Sequence, residues 1–329
     1  MTVDVFQLFY FDRSGTAHTE TIDIHQDAVA FVQLVRFLAN PDLSILGFDP
    51  KVHWDGNQRR MDILSGDRVI QFNLDHVLYH RPAMFGTGNT CWIAQEVGTK
   101  KKVVIKDKWH EEGCDSEADL LLAAGEAAVR GVACLLAVDE TFSAKQPLTT
   151  SLLRQSQCLD TTSNKNQVFS RIVLEIYGPS IQHFRSGLQL LQAFRDSIQS
   201  MFSPFSAASL LTPTIAAHHH LVKAGILHRD ISAENIRLGP MNAPPGQCAI
   251  LLDLAQGSHC ERGKPPSQKD AFVVRLLEIP LCCANFLLRG HSCFAPSTTS
   301  LRLSAVLSRD VSDMTLSTIW SHSSGLMPG

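Results

Sequence analysis

The sequence predicts an α+β protein in two parts, a small β-rich part followed by a mainly helical one. Three observations carry that expectation. Short apolar runs separated by polar loops dominate residues 79–178. Helical periodicity sets in from about residue 181. Two apolar strand-like runs, GILHRD and AILLDLA, then flank a polar loop, with an acidic residue placed in each.

The chain of 329 residues has room for two domains of ordinary size, and 44% hydrophobic content suits a globular core. A net charge of −3 gives no basic footprint, so no nucleic-acid partner is expected. The start, MTVDVFQLFYFDRSG, carries an early Asp and no basic region, unlike a secretory signal. The most apolar late stretch, Phe272 to Leu288, is broken by Arg275 and Glu278, which argues against a membrane span. Nine cysteines include no CxxC pair, and adjacent Cys282-Cys283 cannot form a zinc knuckle. Reduced thiols and an intracellular location, cytoplasm or nucleus, are expected.

Element by element, residues 1–78 read as an N-terminal accessory region. It opens with alternating apolar residues (Val5, Phe6, Leu8, Phe9, Tyr10) and continues with a helix over Ala28 to Leu38, stopped by Asn40-Pro41. Residues 79–178 read as a small antiparallel sheet with one helix, Ser116 to Ala128, capped by Ser116. Within it, residues 141–170 are polar and read as a surface loop. Residues 179–294 form the helical part. There Ser200 to Ala216 reads as an insertion, because excising it brings Leu191, Phe194 and Ile198 into line with Val222. The tail 295–329, with 13 Ser or Thr among 35 residues, is expected to be disordered.

The chemistry sits in His228-Arg229-Asp230 followed by Asn235. That spacing lets one loop orient a hydroxyl on Asp230 and return an oxygen donor, Asn235, to a Mg²⁺ ion. Asp253 stands alone in the apolar run Ala249 to Ala255; a buried carboxylate is costly unless paired or bound to a cation, so it is the natural second metal ligand. Upstream, Gly86 and Gly88 in FGTGNTCW allow backbone amides to approach phosphate oxygens, although a plain hairpin turn has the same signature. Lys106 ends the strand-like run VVIK and suits the α/β-phosphates; an exposed strand lysine like Lys100 to Lys102 is the alternative. Glu117 is the expected ion-pair partner of Lys106, with Glu111, Glu112 and Glu126 as rivals. Arg171 to Gly178 reads as a strand entering a connection; between two nucleotide-binding lobes the backbone at Glu175 and Tyr177 would meet an adenine edge, and a plain edge strand and turn is the alternative. Three consecutive histidines, His218 to His220, point about 100° apart on a helix and make no metal site.

Taken together, GNTCW, VVIKDKWHEE, SEADLLL, FSRIVLEIYGPSI, AHHHLVKAGILHRDISAENI and LLDLA resemble the fungal-type protein kinase family over roughly residues 20–256. The resemblance implies a bilobal protein-kinase-like fold, ATP and Mg²⁺ as cofactors, and Ser/Thr phosphorylation of a protein substrate that the sequence does not name. It implies that Lys106 binds phosphate, that Asp230 with Arg229 forms the catalytic loop, and that Asn235 and Asp253 hold metal. Two departures stand out. Asp253-Leu254-Ala255 replaces an Asp-Phe-Gly triplet, and only Leu277-Glu278-Ile279 offers a poor match to an activation-segment anchor. The C-terminal lobe is therefore expected to be incomplete. A catalytically impaired binding module is the second reading, and a small-molecule kinase the third, disfavoured by Arg229.

Overall fold

The computed structural model describes residues 4–142, 147–156, 159, 165–198, 221, 224–240, 243, 247–259, 272–280, 300–307 and 318–319. Two compact units divide the chain. The first comprises residues 1–114 and 135–176, and the second residues 115–134 and 177–329.

The first unit opens with β1 (Val5–Phe6), β2 (Phe9–Phe11), β3 (Thr16–His18) and β4 (Ile22–Asp23). β1 pairs with β4, and β2 forms a hairpin with β3. Helix α1 (Ala28–Leu38) has the extent its periodicity predicts, with Asp27 accepting the Ala30 amide at 3.0 Å as N-cap. None of its residues is buried, however; Val29, Val32 and Leu38 stay exposed.

Strands β5 (Val52–Asp55), β6 (Gln58–Ser65), β7 (Arg68–His80), β8 (Thr90–Glu96) and β9 (Lys102–Glu111) follow. After α2 (Glu117–Glu126), which belongs to the second unit, come β10 (Leu135–Val138), α3 (Thr150–Ser156) and β11 (Gln167–Glu175). β5 to β11 make one antiparallel sheet in the order β10-β11-β9-β8-β7-β6-β5. β7 runs unbroken through residues 78 and 79, so the sheet of residues 79–178 extends into the N-terminal region. One face is the core: Met61, Ile63, Phe72, Leu74, Ala94, Val103, Ile105, Ala137 and Val173 are all buried there. Side chains alternate along a strand, so Lys106 leaves β9 on the face opposite Ile105.

The polar segment 141–170 is not all loop. Thr150 and Arg154 are buried in α3, and β11 starts at Gln167. Side-chain hydrogen bonds from Thr150 to Asn166 and from Arg154 to Asp12 satisfy polar residues that make the segment look solvent-exposed.

A charge cluster also holds this unit together. Arg171, 2% exposed, grips Asp107 with Nε at 2.7 Å and Nη2 at 2.8 Å, and reaches Asp49 at 2.5 Å. Lys51 meets Asp139 at 2.9 Å. Burial alone would lower the guanidinium pKa, but the carboxylates of Asp107 and Asp49 hold Arg171 above its ordinary value.

In the second unit, α2 is followed by α4 (Gly187–Ile198), β12 (Ile226–Leu227), β13 (Asp230–Ser232), β14 (Ile236–Leu238), β15 (Ala249–Leu251) and β16 (Ser258–His259). α2 starts at the cap its sequence suggests, and α4 has a serine cap of the same kind. Ser116 accepts the Asp119 amide at 3.1 Å, and Ser186 accepts that of Gln189 at 3.1 Å. The Gln189 side-chain oxygen in turn accepts the Arg185 amide at 2.8 Å. α4 lies on β15 and buries Leu190 and Ala193, while Asp196 accepts the Cys248 amide at 2.8 Å. β12 pairs with β16 and β14 with β15.

Three further strands, β17 (Phe272–Pro280), β18 (Ser300–Leu307) and β19 (Thr318–Ile319), extend β13 into a four-stranded sheet. β13 and β17 run parallel, Asp230 opposite Val273 and Ser232 opposite Arg275. Leu277-Glu278-Ile279 thus falls on a strand. The tail expected to lack structure contains β18 and β19, where apolar residues such as Leu301, Leu303, Val306 and Leu307 outweigh the serines locally. Residues 200–216, His218 to His220 and Cys282-Cys283 lie outside the described residues.

Candidate active site

The His228 loop is shaped by backbone strain. Gly225 (φ +78°) turns the chain into β12, where Ile226 and Leu227 are buried. Arg229 then adopts φ +64°, a left-handed conformation that costs a non-glycine residue about 1–3 kcal/mol unless its surroundings impose it. One of those surroundings is His228, which is 0% exposed. Its Nε2 donates to the Leu252 carbonyl at 2.8 Å, and its Nδ1 accepts the Asp230 amide at 3.3 Å. These two bonds assign the neutral Nε2–H tautomer. Desolvation agrees, pushing the imidazole pKa below its usual value.

Asp230 and Asn235 meet within this loop. The Asn235 amide nitrogen donates to the Asp230 carbonyl at 3.0 Å and faces its carboxylate at 3.4 Å. That orientation turns the amide oxygen of Asn235 to the other side, as a candidate cation ligand. Asp253 is tied in through the backbone. Leu252 donates its amide to the Asn235 carbonyl at 2.7 Å, so a single residue is held by both His228 and Asn235. Asp253 itself has φ +62° and caps the turn Leu254–Gln256 through the Ala255 amide at 3.3 Å. Of the triplet Asp253-Leu254-Ala255, Leu254 is 1% exposed. The closely packed glycine of this segment is Gly257. A Cβ there would crowd Leu120 of α2 and the Leu227 carbonyl, each at 2.9 Å.

Asn235 and Asp253 offer hard oxygen donors, the ligand chemistry that would suit Mg²⁺. Among the described residues no group of three His, Cys, Asp or Glu side chains is arranged for a metal. Zinc-type chemistry therefore has no ligand set among them.

Of the first-unit candidates, Lys106 is 6% exposed, whereas Lys100, Lys101 and Lys102 are exposed. That separates it from an ordinary strand lysine. Lys108, two residues on along the same face, is equally buried and carried no signal in the sequence. Gly86 and Gly88 both have positive φ, +80° and +49°. The Gly86 amide donates to the Arg13 carbonyl at 3.0 Å, and the Trp109 amide to the Thr87 carbonyl at 2.8 Å.

Glu117 opens α2 in the second unit and is 5% exposed. Its rivals are placed differently. Glu112 and Glu126 are exposed, and Glu111 pairs with Lys165 at 2.9 Å. Glu175 closes β11 and meets Lys101 at 3.5 Å on the surface. Tyr177 begins the next unit, its hydroxyl accepting the Cys134 amide at 2.7 Å. The connection beyond is fixed to β14, because Leu238 donates its amide to the Pro179 carbonyl at 2.8 Å. Gly178 has no room for a Cβ there, since the Leu238 carbonyl oxygen occupies the space.

Two features of consequence were not read from the sequence: the linking role of His228, known there only as part of its motif, and Arg13 against the glycine-rich loop. For His228 the sequence offered only its place in the motif after the apolar run Gly225 to Leu227. For Arg13 there was none, because 70 residues separate it from Ala83, which accepts its hydrogen bond.

The second unit thus carries Asp230, Asn235 and Asp253 around one linked pair of strands, and the first unit carries a buried lysine, Lys106, on an antiparallel sheet. The sequence model of the fungal protein kinase family matches residues 1–273, and the chain belongs to that family. No curated protein matches the chain. Among solved structures, the BubR1 kinase domain is similar at 12% identity with a TM-score of 0.39, covering 75% of this chain. The chain spans 63% of the length of that domain.

Proposed function

We propose that the protein binds Mg·ATP and transfers its γ-phosphoryl group to a serine or threonine hydroxyl of a protein. The observation that supports this most is the linked set Asp230, Asn235, His228 and Asp253, joined through Leu252. Asp230 would accept the hydroxyl proton or orient the hydroxyl. Asn235 and Asp253 would hold the metal. When bound, Mg²⁺ would neutralise charge on the phosphate oxygens. His228, kept neutral by burial, holds the two strands in register without adding a charge beside the carboxylates. Lys106 would pair with phosphate oxygens.

One observation favours a second reading, a binding module without transfer. The backbone of Asp230–Ser232 is already paired with residues 273–275 of the same chain. A radiolabelled-ATP transfer assay on the full chain, with a mixed protein acceptor and Asp230→Ala as control, separates the two. Label incorporation that Asp230→Ala abolishes supports the kinase. Mg·ATP binding with no incorporation by either chain supports the binding module.

A further inference from the structure

The turn of the β2–β3 hairpin, Asp12-Arg13-Ser14-Gly15, is anchored on two sides. Asp12 accepts the Ser14 and Gly15 amides at 2.8 and 2.9 Å, closing the turn on itself. Its carboxylate also takes Arg154 of α3, with Nε at 2.6 Å and Nη2 at 3.2 Å; both side chains are 4% exposed. Ser14 bonds Thr150 at 2.5 Å and the Lys165 carbonyl at 2.7 Å. A terminal hairpin is thus seated firmly on α3 and the start of β11.

From that seat Arg13 reaches the glycine-rich loop. Its carbonyl accepts the Gly86 amide at 3.0 Å. Its guanidinium donates to the carbonyls of Ala83 and, at 3.3 Å, Met84. A Cβ on Gly88 would fall within the guanidinium of Arg13. The two glycines therefore serve different ends. Gly86 has open space around a Cβ and is required by its φ of +80° alone, whereas Gly88 also leaves room for Arg13.

We infer that Arg13 is a positioning residue that fixes residues 83–88 and so sets the affinity for the phosphates of ATP. The nucleotide half of this inference rests on the kinase reading above. Without the Arg13 side chain the loop loses two hydrogen bonds on one side and retains those from the Gly86 amide to the residue-13 carbonyl, from Arg81 to the Asn89 carbonyl and from Trp109 to the Thr87 carbonyl. A loop freed in this way must be ordered again on binding, which weakens affinity.

The test uses the full chain as wild type, Arg13→Ala, Arg13→Lys, Gly88→Ala and the Arg13→Ala/Gly88→Ala double variant. Amide exchange over residues 83–89 is measured without nucleotide, and Mg·ATP affinity with a fluorescent ATP analogue. Arg13→Ala should speed exchange and weaken affinity by about tenfold each, the worth of one to two lost hydrogen bonds. Arg13→Lys, with one donor group instead of a fork, should fall between. Gly88→Ala is strained by its φ of +49° in either background, but the added harm from crowding the guanidinium should be absent in the Arg13→Ala background, so the double variant should fall short of the sum of the two single effects. Unchanged exchange and affinity in Arg13→Ala would overturn the inference, even if its Tm falls, because the residue would then be merely structural. Tighter affinity would overturn it too, since the hairpin would then be withholding the Gly86 amide. A wild-type chain that binds no Mg·ATP, with exchange still raised in Arg13→Ala, would sink the kinase reading and leave the clamp standing.

Discussion

Arg171→Met is expected to be the most damaging single change in the first unit. Arg171 is 2% exposed and faces Asp107 at 2.7 and 2.8 Å, Asp49 at 2.5 Å and Asp139 at 3.8 Å. Methionine fills similar volume but leaves three carboxylates with Lys51 as the remaining cation in the cluster. Breaking a buried pair by removing one partner costs about 3–5 kcal/mol. That is a large part of a total stability of about 5–15 kcal/mol. Urea unfolding should show a midpoint lowered by roughly 1–3 M. The pH dependence adds a second check. Burial already pushes the Asp107 carboxyl up, opposed by Arg171. Removing Arg171 leaves the upward push alone. A carboxyl raised in the fold is most stabilising below its unfolded pKa of about 3.9 and loses that stability as pH rises. The deficit of Arg171→Met should therefore shrink as pH falls from 7 toward 5. Arg171→Met combined with Asp107→Leu should recover much of the loss. A cost of Arg171→Met under about 1 kcal/mol, or a deficit that widens at low pH, would refute the reasoning.

Three other changes follow from the geometry. Gly239→Ala places a Cβ on the Gln247 carbonyl oxygen, so it should lower stability by about 1–3 kcal/mol in thermal melts. His228 has a folded pKa below its unfolded value of about 6.5, so its contribution is complete above that pH and lost as pH falls below it. Wild type should lose up to about 1.4 kcal/mol per pH unit below 6.5 from this residue. His228→Gln should remove that part of the slope in pH-dependent urea titrations. Asp253→Asn should weaken Mg²⁺-dependent ATP-analogue binding by about tenfold or more while leaving metal-free binding nearly unchanged.

Much of the site was legible because its residues lie close in sequence. His228, Arg229, Asp230 and Asn235 share one loop, and the apolar setting of Asp253 forces a reason for the carboxylate. The cap Ser116 marks its helix by local chemistry alone. What could not be read was long-range. The pairing of Arg171 with Asp49 and Asp107 spans 122 and 64 residues, and an isolated charge in a strand looks like a solvated one. The buried Thr150 and Arg154 hid in a polar segment for the same reason, since their partners Ser14 and Asp12 lie more than a hundred residues away. The helix α1 shows the converse. Its apolar stripe predicts its extent correctly but predicts burial that none of its residues has.

The central claim is that Asp230 presents a hydroxyl to the γ-phosphate of ATP held at Asn235 and Asp253. Single-turnover transfer from radiolabelled ATP, comparing wild type with Asp230→Asn at matched nucleotide occupancy, tests it most directly. The account expects the rate to fall by about 100-fold or more, the contribution of a positioned base, with Mg·ATP affinity unchanged. Equal rates in the two chains would contradict it.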